Sequence, residues 1–353
     1  GKRTLLIEKF SLGHSNGSSH GKSRITRYAH AEPEYIPLIT DSYAEIEKLE
    51  TKRGEQLIIK TGGVMLGSTK KMGKLAKTMR DSAIPHEELM ASEVGTRFPH
   101  LTYGDDNYTA LIDPQAGVIL ADKWMHAFQD EFRKAGGIVA DSTTVNSFNE
   151  KADDVTLKTT QGDFSASKVV VAVGSWINKL LPTFPVKGTP ELVAVCYWAP
   201  KDPADLARIT PATYPIHIAT EPDGTTFFSM PDVDFKGTVK FLLSGGQVLE
   251  DTDKAVQQYD EKFVERVRSH IERHTPFLDY VNGPVRVDRC KYTMSSDHHY
   301  VVDYLPGSSK IVVAGCMSGS GFKNAPGLGR ALAQLVSGEK PHADLSFFSL
   351  KRF

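Results

Sequence analysis

The sequence contains little cysteine, no long apolar run and no excess of charge of either sign. Its cysteines are Cys196, Cys290 and Cys316, and this small, odd number without close pairs excludes a disulfide framework and a zinc site. No apolar run is long enough to cross a bilayer. The 42 basic and 43 acidic residues give a net charge of -1, which argues against a general role in binding nucleic acid or a membrane surface. These absences are typical of a globular enzyme in a reducing compartment.

Two kinds of strand signal alternate along the chain. Short, uninterrupted apolar runs are typical of parallel strands covered on both faces, and they occur at residues 4–8, 168–173 and 311–315. Apolar stretches separated by short turns predict an antiparallel sheet over residues 192–198, 214–219, 225–230 and 237–243. Helical periodicity covers residues 34–53, 121–135, 254–274 and 325–337.

The alternation of these elements predicts an α/β fold that is α+β in part. A Rossmann-like nucleotide-binding domain would comprise residues 1–60, 121–189 and 292–353. A substrate domain built on the antiparallel sheet would comprise residues 61–120 and 190–291. In the helix predicted over 121–135, the aromatic residues of one face are expected to lie in the core; they are Trp124, Phe128 and Phe132.

Residues 17–27 place two arginines next to a run of small residues. Arg24 and Arg27 are three apart, and forked, permanently charged donors beside a Gly-rich loop suit a carboxylate or a phosphate. A solvated basic loop leading into a helix is the simpler interpretation of these residues alone. Glu8 ends the first predicted strand, where an acid commonly binds a ribose hydroxyl. An exposed strand-end carboxylate is the simpler interpretation of Glu8.

Three further stretches carry groups suited to chemistry. Cys290 lies between two basic residues that favour its thiolate, yet a lone cysteine is more often a small buried hydrophobe. Residues 315–323 predict a Gly-rich turn from a strand to a helix, which suits an anion, or else a tight turn next to a solvated Lys323. Lys240 interrupts an apolar strand, so it is either buried and paired or on the polar face of an edge strand.

These stretches, taken in order, resemble one known family. Four segments carry the resemblance: LGHSNGSSHGKSRITR at 12–27, VCYW at 195–198, CKYT at 290–293 and SGSGFK at 318–323. Each segment alone is too short to identify a family. Together they resemble the monomeric sarcosine oxidase family, within which the peroxisomal sarcosine/pipecolate oxidases are most similar. The resemblance extends over essentially the whole chain and implies an FAD-dependent amine oxidase.

The resemblance also implies a role for each matching residue. Cys290 would form a thioether with the flavin, while Arg27 and Lys323 would bind the substrate carboxylate. Lys240 would activate oxygen, with Arg24 at the flavin face and Tyr292 in the substrate cavity. Phe228 would line the same cavity, and Arg24 and Lys323 would also contact FAD. The remaining expected cofactor contacts are Glu8, Ser18, His20, Gly174, Gly319, Gly321 and Phe322.

The implied reaction oxidises a small secondary amino acid, such as sarcosine or L-pipecolate, to an imine and passes the electrons to O2 to give hydrogen peroxide. The expected partners are the amino acid and oxygen, without nucleic acid, membrane or metal, and the expected state is a monomer. The resemblance implies a peroxisome, whereas the final residues, which form no peroxisomal tripeptide, favour the cytoplasm. Two other functions stay open: a binding protein without a working flavin site, and an FAD dehydrogenase with another acceptor, although Lys240 favours oxygen.

The sequence departs from the family pattern at several positions. Ser320 and Ser244 stand where relatives carry histidine, and Phe228 falls near a family tyrosine, so we expect an altered substrate cavity. The G-x-G-x-x-G turn that supplies N–H groups to the FAD pyrophosphate has no match in the 353 residues. A protein lacking that turn is expected to bind FAD far more weakly and to form the thioether poorly.

Overall fold

A computed structural model of the protein describes residues 2–103, 108–254 and 259–353. Its helices are α1 (Tyr35–Arg53), α2 (Thr69–Asp81), α3 (Ala91–Arg97), α4 (Ala121–Lys134), α5 (Ile177–Leu180), α6 (Glu261–His274) and α7 (Gly321–Val336). Short 3₁₀ turns occur at Gly174–Trp176, Pro203–Arg208, Ser346–Phe348 and Leu350–Arg352. Among the described residues, no helix combines the length and apolarity that crossing a membrane requires.

The strands of the first half of the chain are β1 (Leu5–Ile7), β2 (Ser23–Thr26), β3 (Ile58–Lys60), β4 (Gly63–Ser68), β5 (Glu87–Met90), β6 (Tyr108–Asp113), β7 (Gly117–Leu120), β8 (Ile138–Ala140), β9 (Val145–Glu150), β10 (Val155–Thr159), β11 (Gly162–Ala166) and β12 (Val169–Val171). Those of the second half are β13 (Thr189–Trp198), β14 (Ile216–Thr220), β15 (Thr226–Met230), β16 (Val239–Leu243), β17 (Gln247–Val248), β18 (Arg286–Met294), β19 (Val301–Tyr304) and β20 (Ile311–Gly315).

A nine-stranded sheet dominates the fold and carries much of the candidate site. Its strand order is β17-β13-β16-β15-β14-β4-β6-β5, and β18 pairs with β13. Neighbouring strands are antiparallel except β14 and β4, which run parallel. The antiparallel sheet predicted from residues 192–243 is confirmed, and the sheet also takes in strands from residues 63–113.

Smaller sheets flank this large one. Strand β1 pairs with β8, and β12 pairs with β20, both in parallel, while β19 joins β20 in the antiparallel direction. Strands β2, β7 and β3 form one antiparallel sheet, and β9, β10 and β11 form another. The mixed α/β class predicted from the sequence is therefore confirmed. The proposed division into two interleaved domains stays a prediction.

Helices α1 and α7 pack closely at a glycine. A Cβ atom added at Gly327 would lie 2.2 Å from the Leu38 carbonyl oxygen, so only glycine permits this approach. Ser42 links the two backbones, because its Oγ donates to the Leu38 carbonyl at 2.7 Å and accepts from the Gly327 N–H at 3.0 Å. This contact fixes helix α7, whose first turn carries Lys323.

Some local predictions were wrong. In α4, Trp124 is buried, but Phe128 is 38% exposed, because the helix packs only a narrow stripe against the strands beneath it. Helix α7 begins at Gly321 rather than near 325, since Pro326, a residue typical of a first helical turn, lies inside the helix. Helix α6 begins at Glu261, where Asp260 caps it, and residues 255–258 of the predicted helix lie outside the described part.

Candidate functional site

Lys240 lies on an interior strand of the large sheet and is paired with an acid. Strand β16 has neighbours on both sides, so the interpretation as an edge strand is wrong. Its Nζ donates to Asp234 Oδ2 at 2.9 Å and to Ser23 Oγ at 3.0 Å. The side chains of Lys240 and Asp234 are only 7% and 3% exposed. The structure therefore selects the buried, paired alternative for Lys240.

Burial and neighbouring charges shift the pKa values of this pair in opposite directions. Burial lowers the pKa of Lys240, the Asp234 carboxylate raises it, and Arg24 lowers it further. Burial raises the pKa of Asp234, yet the charge of Lys240 and hydrogen bonds from neighbouring hydroxyls leave it below its ordinary value. Sequence reasoning missed Asp234, because residues 231–237 are rich in Asp and Gly and have the composition of a solvent-exposed turn.

Cys290 lies next to Arg24 at the edge of the same sheet. Arg24 Nη2 is 3.7 Å from Cys290 Sγ. Cys290 is half-buried on β18, opposite Val193 of β13, and it packs against the buried cluster of Val193, Val195 and Tyr197. A thiol that is partly accessible and touched by a guanidinium is placed where a reactive thiolate is favoured.

Arg24 is held by backbone carbonyl groups. Its guanidinium donates to the Ser18 oxygen at 2.9 Å, to the Ser23 oxygen at 2.7 Å and to the His20 oxygen. Its Cζ also lies 5.5 Å from the centre of the Phe322 ring. Loop residues 18–23 thus wrap around a fixed positive charge, and Ser18, His20 and Phe322, all predicted from the resemblance, meet at Arg24.

Arg27, which is half-buried, and Lys323, which is buried, form a pair of cations. Within residues 2–103, 108–254 and 259–353, neither side chain takes part in an ion pair. Burial lowers the pKa of both groups. Asp113 partly opposes this for Arg27, whereas Arg27 lowers the pKa of Lys323 further. Lys323 is 7% exposed, so the alternative of a solvated lysine is wrong. Two like charges held in this way suit an anionic ligand.

His30 belongs to the surroundings of these cations and was missed by sequence reasoning. It is 8% exposed, and its Nε2 has no hydrogen-bond partner among the described residues. Burial lowers its pKa well below the ordinary value, and the charges of Arg27 and Lys323 lower it further. A neutral imidazole is therefore expected beside the pair. A lone histidine after a loop gave no pattern that could have identified it.

The Gly-rich turn before α7 has an unusual backbone. Cys316 and Ser318 adopt positive φ angles of 50° and 43°, and Gly319 follows at 77°. Such conformations are costly for residues with a side chain and are frequent at functional sites. The turn is tied to β18, because the Ser318 N–H donates to the Thr293 carbonyl at 3.0 Å. Gly321 then begins α7, and a Cβ there would meet the Met317 side chain at 2.5 Å.

Tyr292 connects this turn to the large sheet. A Cβ added at Gly319 would lie 3.9 Å from its ring, and its hydroxyl accepts from the Gly245 N–H at 2.8 Å. Glu191 lies opposite Tyr292 in the strand register, and its buried Oε2 has no hydrogen-bond partner in the described part of the chain. Burial raises the pKa of Glu191. Sequence reasoning missed Glu191, since an acid near a strand start is ordinary.

The residues at the altered positions differ in their burial and in their hydrogen bonds. Phe228 is half-buried on β15, opposite Leu242, which also packs against the cluster containing Cys290. Ser320 bonds the Tyr300 hydroxyl at 2.9 Å. Ser244 is exposed and bonds the Thr226 backbone at the strand end. Only Phe228 and Ser320 are therefore placed among the buried groups of the site.

Glu8 directly follows β1, and Gly174 lies a few residues after β12. Glu8 is half-buried, accepts from the Phe10 N–H at 3.0 Å and lies 3.4 Å from His14 Nε2. Gly174 has a φ of 53° and opens a 3₁₀ turn in which Ser175 bonds the Thr293 hydroxyl at 2.9 Å. In the described part of the chain, neither residue forms a hydrogen bond or an ion pair with Cys290 or Lys240.

A second titratable cluster lies on the opposite face of the sheet. Glu221, His270 and His274 bring possible metal-binding atoms within 4.8 Å of one another. However, Glu221 Oε1 already contacts His270 Nδ1 at 2.8 Å and accepts from Arg273 at 2.6 Å. Burial raises the pKa of Glu221, but these hydrogen bonds bring it down to about 2. The protein itself therefore satisfies this carboxylate as an ion pair.

Comparison with known proteins identifies the class to which this site belongs. Residues 1–335 match the family described as FAD dependent oxidoreductase, so the chain belongs to that family. Over its whole length it is 42% identical to a Caenorhabditis elegans protein named "Putative sarcosine oxidase", covering 92% of that protein. It is 31% identical, again over its whole length, to human peroxisomal sarcosine oxidase, covering 90% of it. The resemblance stated from the sequence segments is thus confirmed.

A solved structure shows the same fold. NikD, an amino acid oxidase essential for nikkomycin biosynthesis, superposes with a TM-score of 0.81 at 21% identity, covering 99% of this chain and 91% of NikD. The chain is an FAD-dependent amine oxidase of the sarcosine oxidase kind. Its residues fit the cofactor, because a partly accessible thiol, a guanidinium fixed by carbonyl groups and a buried lysine converge where an electron-accepting ring needs positive surroundings.

Proposed function

We propose that this protein oxidises a small secondary amino acid, with sarcosine and L-pipecolate as the first candidates, to the imine, and that O2 is reduced to hydrogen peroxide. The observation that carries the proposal is the pair of cations formed by half-buried Arg27 and buried Lys323, neither of which forms an ion pair in the described part of the chain. A substrate carboxylate could accept hydrogen bonds from both side chains and would offset one of their two positive charges.

The carboxylate pair would orient the substrate. Arg27 follows β2 and Lys323 lies in the first turn of α7, two rigid elements. Fixing the carboxylate on these elements limits the positions of the adjacent C–H bond and amine, and such positioning is a large part of catalysis. Phe228 and Tyr292 would then border the side of the substrate that varies between amino acids.

The cations of the site favour the reactive form of the substrate. An amine that loses a hydride equivalent must offer its lone pair, so it reacts as the neutral form. Positive charges on Arg24, Arg27 and Lys323 disfavour a further ammonium ion close by. Arg24, which lies next to Cys290, would stabilise the negative charge that the electron acceptor gains as the substrate loses electrons. FAD, when bound, supplies the two-electron acceptor for this reaction.

We also propose that Cys290 attaches FAD through a thioether. Its support is the contact with Arg24 at 3.7 Å and the partial exposure of the sulfur. Lys240 would act in the oxygen half of the reaction, because its ammonium group lies buried near the same guanidinium. A monomeric state and a peroxisomal location, taken from the resemblance and from the name of the human relative, belong to the same proposal.

The experiment combines acid precipitation with substrate comparison. Flavin-loaded protein should give a yellow pellet and should form peroxide with sarcosine or L-pipecolate. Dimethylamine and piperidine, the matching amines without a carboxylate, should react at least about 100-fold more slowly, since each lost charge-assisted hydrogen bond costs about 1.5–3 kcal/mol. Colourless protein would favour the binding-protein alternative. Reduction by the amino acid followed by transfer to a dye but not to oxygen would favour the dehydrogenase alternative.

A further inference from the structure

We propose that Asp234 is the positioning residue that keeps Lys240 charged and fixed in direction for the oxygen half of the reaction. This inference rests on the proposed function, in which O2 takes up two electrons from the cofactor and two protons and leaves as hydrogen peroxide. Neither proton comes from Asp234 or Lys240. The role of the pair is to hold one positive charge near the place where oxygen becomes negative.

The pair is buried deeply enough for the charge to depend on its partner. The side chains of Lys240 and Asp234 are 7% and 3% exposed and are joined at 2.9 Å. Asp234 is the acid that forms an ion pair with Lys240 within the described residues. A lysine buried without such a partner readily loses its proton at neutral pH. Removing the carboxylate should therefore leave a neutral amine at position 240.

The contacts of Lys240 show that it acts through its charge rather than through a free N–H bond. Three acceptors surround its Nζ: Asp234 Oδ2 at 2.9 Å, Ser23 Oγ at 3.0 Å and the Ser23 carbonyl oxygen at 3.2 Å. An ammonium group has three N–H donors, so all are used. The ammonium group is consequently held between β16 and the start of β2, next to Arg24.

The loop that carries Asp234 is itself fixed at both sides. Lys22 donates to the Asp234 carbonyl oxygen at 3.0 Å, which ties the loop to the segment before β2. The Gly237 N–H donates to Asp232 Oδ2 at 2.7 Å, which closes the loop on itself. Tyr197 donates to the same Asp234 oxygen as Lys240, at 2.9 Å. The carboxylate thus has a defined orientation before it meets the lysine.

An unpartnered oxygen makes a clean substitution possible. Asp234 Oδ1 is buried and has no hydrogen-bond partner among the residues that the structure describes. In an Asp234→Asn variant the amide nitrogen can take this position, while the amide oxygen keeps both donors that reach Oδ2. The variant then removes the negative charge and preserves the shape. Asp232→Asn is the matched control, because it removes one charge from the same loop and its amide oxygen can still accept from the Gly237 N–H.

The first test follows the two half-reactions separately by stopped flow across pH 6–10. Asp234→Asn should leave anaerobic reduction by the amino acid within about twofold of wild type, while reoxidation by O2 at pH 8 falls about 10-fold or more. The pH at which reoxidation loses half its rate should move down by about one unit or more. Asp232→Asn should resemble wild type. An unchanged reoxidation profile in Asp234→Asn overturns the proposal even if the enzyme is an amine oxidase.

The second test measures the coupling between Asp234 and Lys240 without any turnover. Thermal unfolding of cofactor-free protein is compared for wild type, Asp234→Asn, Lys240→Met and the double variant. Removing one member of a buried pair leaves the other without compensation, so each single variant should unfold at a lower temperature and the double variant should regain part of the loss. Additive losses would overturn the coupling. If no amino acid reduces the wild-type protein, the proposed function fails instead, and this cycle still shows whether the pair is coupled.

Discussion

Replacing Lys323 by methionine tests the carboxylate site most directly, because it should change stability and binding in opposite directions. Methionine has nearly the same length and is unbranched, so it fills the same space without a charge. Lys323 is 7% exposed and lies near Arg27 without an acidic partner in the described residues. The charge therefore costs stability in the free protein and contributes only when an anion is bound.

The structure sets the expected magnitudes. Burying a polar group without compensation costs about 1–2 kcal/mol at the low end of mutational data, so Lys323→Met should increase the stability of the free protein by an amount of that order. With 353 residues and about 2.1 cal/mol/K per residue, the melting temperature should rise by about 1–3 °C. Loss of one charge-assisted hydrogen bond of about 1.5–3 kcal/mol should weaken carboxylate binding about 10- to 150-fold.

The direction in which folding stability changes with pH provides an independent test. Burial and Arg27 lower the pKa of Lys323 in the folded protein below its ordinary value of 10.5. Between these two values the unfolded chain binds a proton that the folded protein does not, so wild-type stability rises with pH in that range. Lys323→Met should lack this rise. Its stability advantage should therefore be largest below the folded pKa and should shrink toward pH 10.5.

The assay uses thermal unfolding and equilibrium binding of cyclohexanecarboxylate, the carbocyclic analogue of pipecolate that cannot be oxidised. Lys340→Met, at an exposed lysine beyond α7, is the control and should change neither quantity appreciably. A Lys323→Met protein that melts lower than wild type and binds the carboxylate equally well would refute the reasoning. In that case Lys323 would be a structural residue, and Arg27 alone would hold the anion.

Three further outcomes are expected. Cys290→Ser should move the flavin from the acid pellet to the supernatant, as measured by absorbance, while a pellet that stays yellow would place the bond elsewhere. Gly327→Ala should lower the free energy of unfolding by about 3 kcal/mol, because the new Cβ would lie 2.2 Å from the Leu38 oxygen. Gly329→Ala, in open space on the same helix, should instead raise the free energy of unfolding by up to about 1 kcal/mol. Equal effects of the two substitutions would contradict the packing argument. Glu221→Gln should remove the part of the acid-induced loss of stability that occurs as pH falls from about 4.5 to about 2, since the pKa of Glu221 in the folded protein is about 2. Urea unfolding at pH 3 and 7 measures this difference, and an equal change in stability between the two pH values for wild type and variant would refute the prediction.

The sequence identified the elements whose patterns are local. Helix α1 and strands β13, β15, β16 and β20 follow directly from periodicity and from short apolar runs, and their residues were predicted within a few positions. The position of α7 was less exact, because Pro326 lies inside the helix rather than at its start. Phe128 was misplaced, since periodicity shows that a face is apolar but not how much of it the neighbouring strands cover.

Residues of the candidate site could be predicted only where a charged residue contrasts with the sequence around it. Lys240 was noticed because it interrupts an apolar strand, and Arg27 because it follows a Gly-rich loop. Asp234, Glu191 and His30 were missed, since each becomes unusual only through burial created by distant segments. Asp234 and Lys240 are only six residues apart, but Lys240 also bonds Ser23 at the start of β2, a contact with a distant segment that no local pattern encodes.

The unneutralised cations Arg27 and Lys323 have a kinetic consequence. In the proposed reaction the substrate carboxylate is chemically unchanged, so these side chains would hold the starting amino acid, the activated complex and the imino acid product with similar strength. Binding energy that is uniform along the reaction lowers KM without raising kcat. The product should therefore compete with fresh substrate, and turnover should depend on how quickly the imino acid escapes from two positive charges that attract it as firmly as they attracted its precursor.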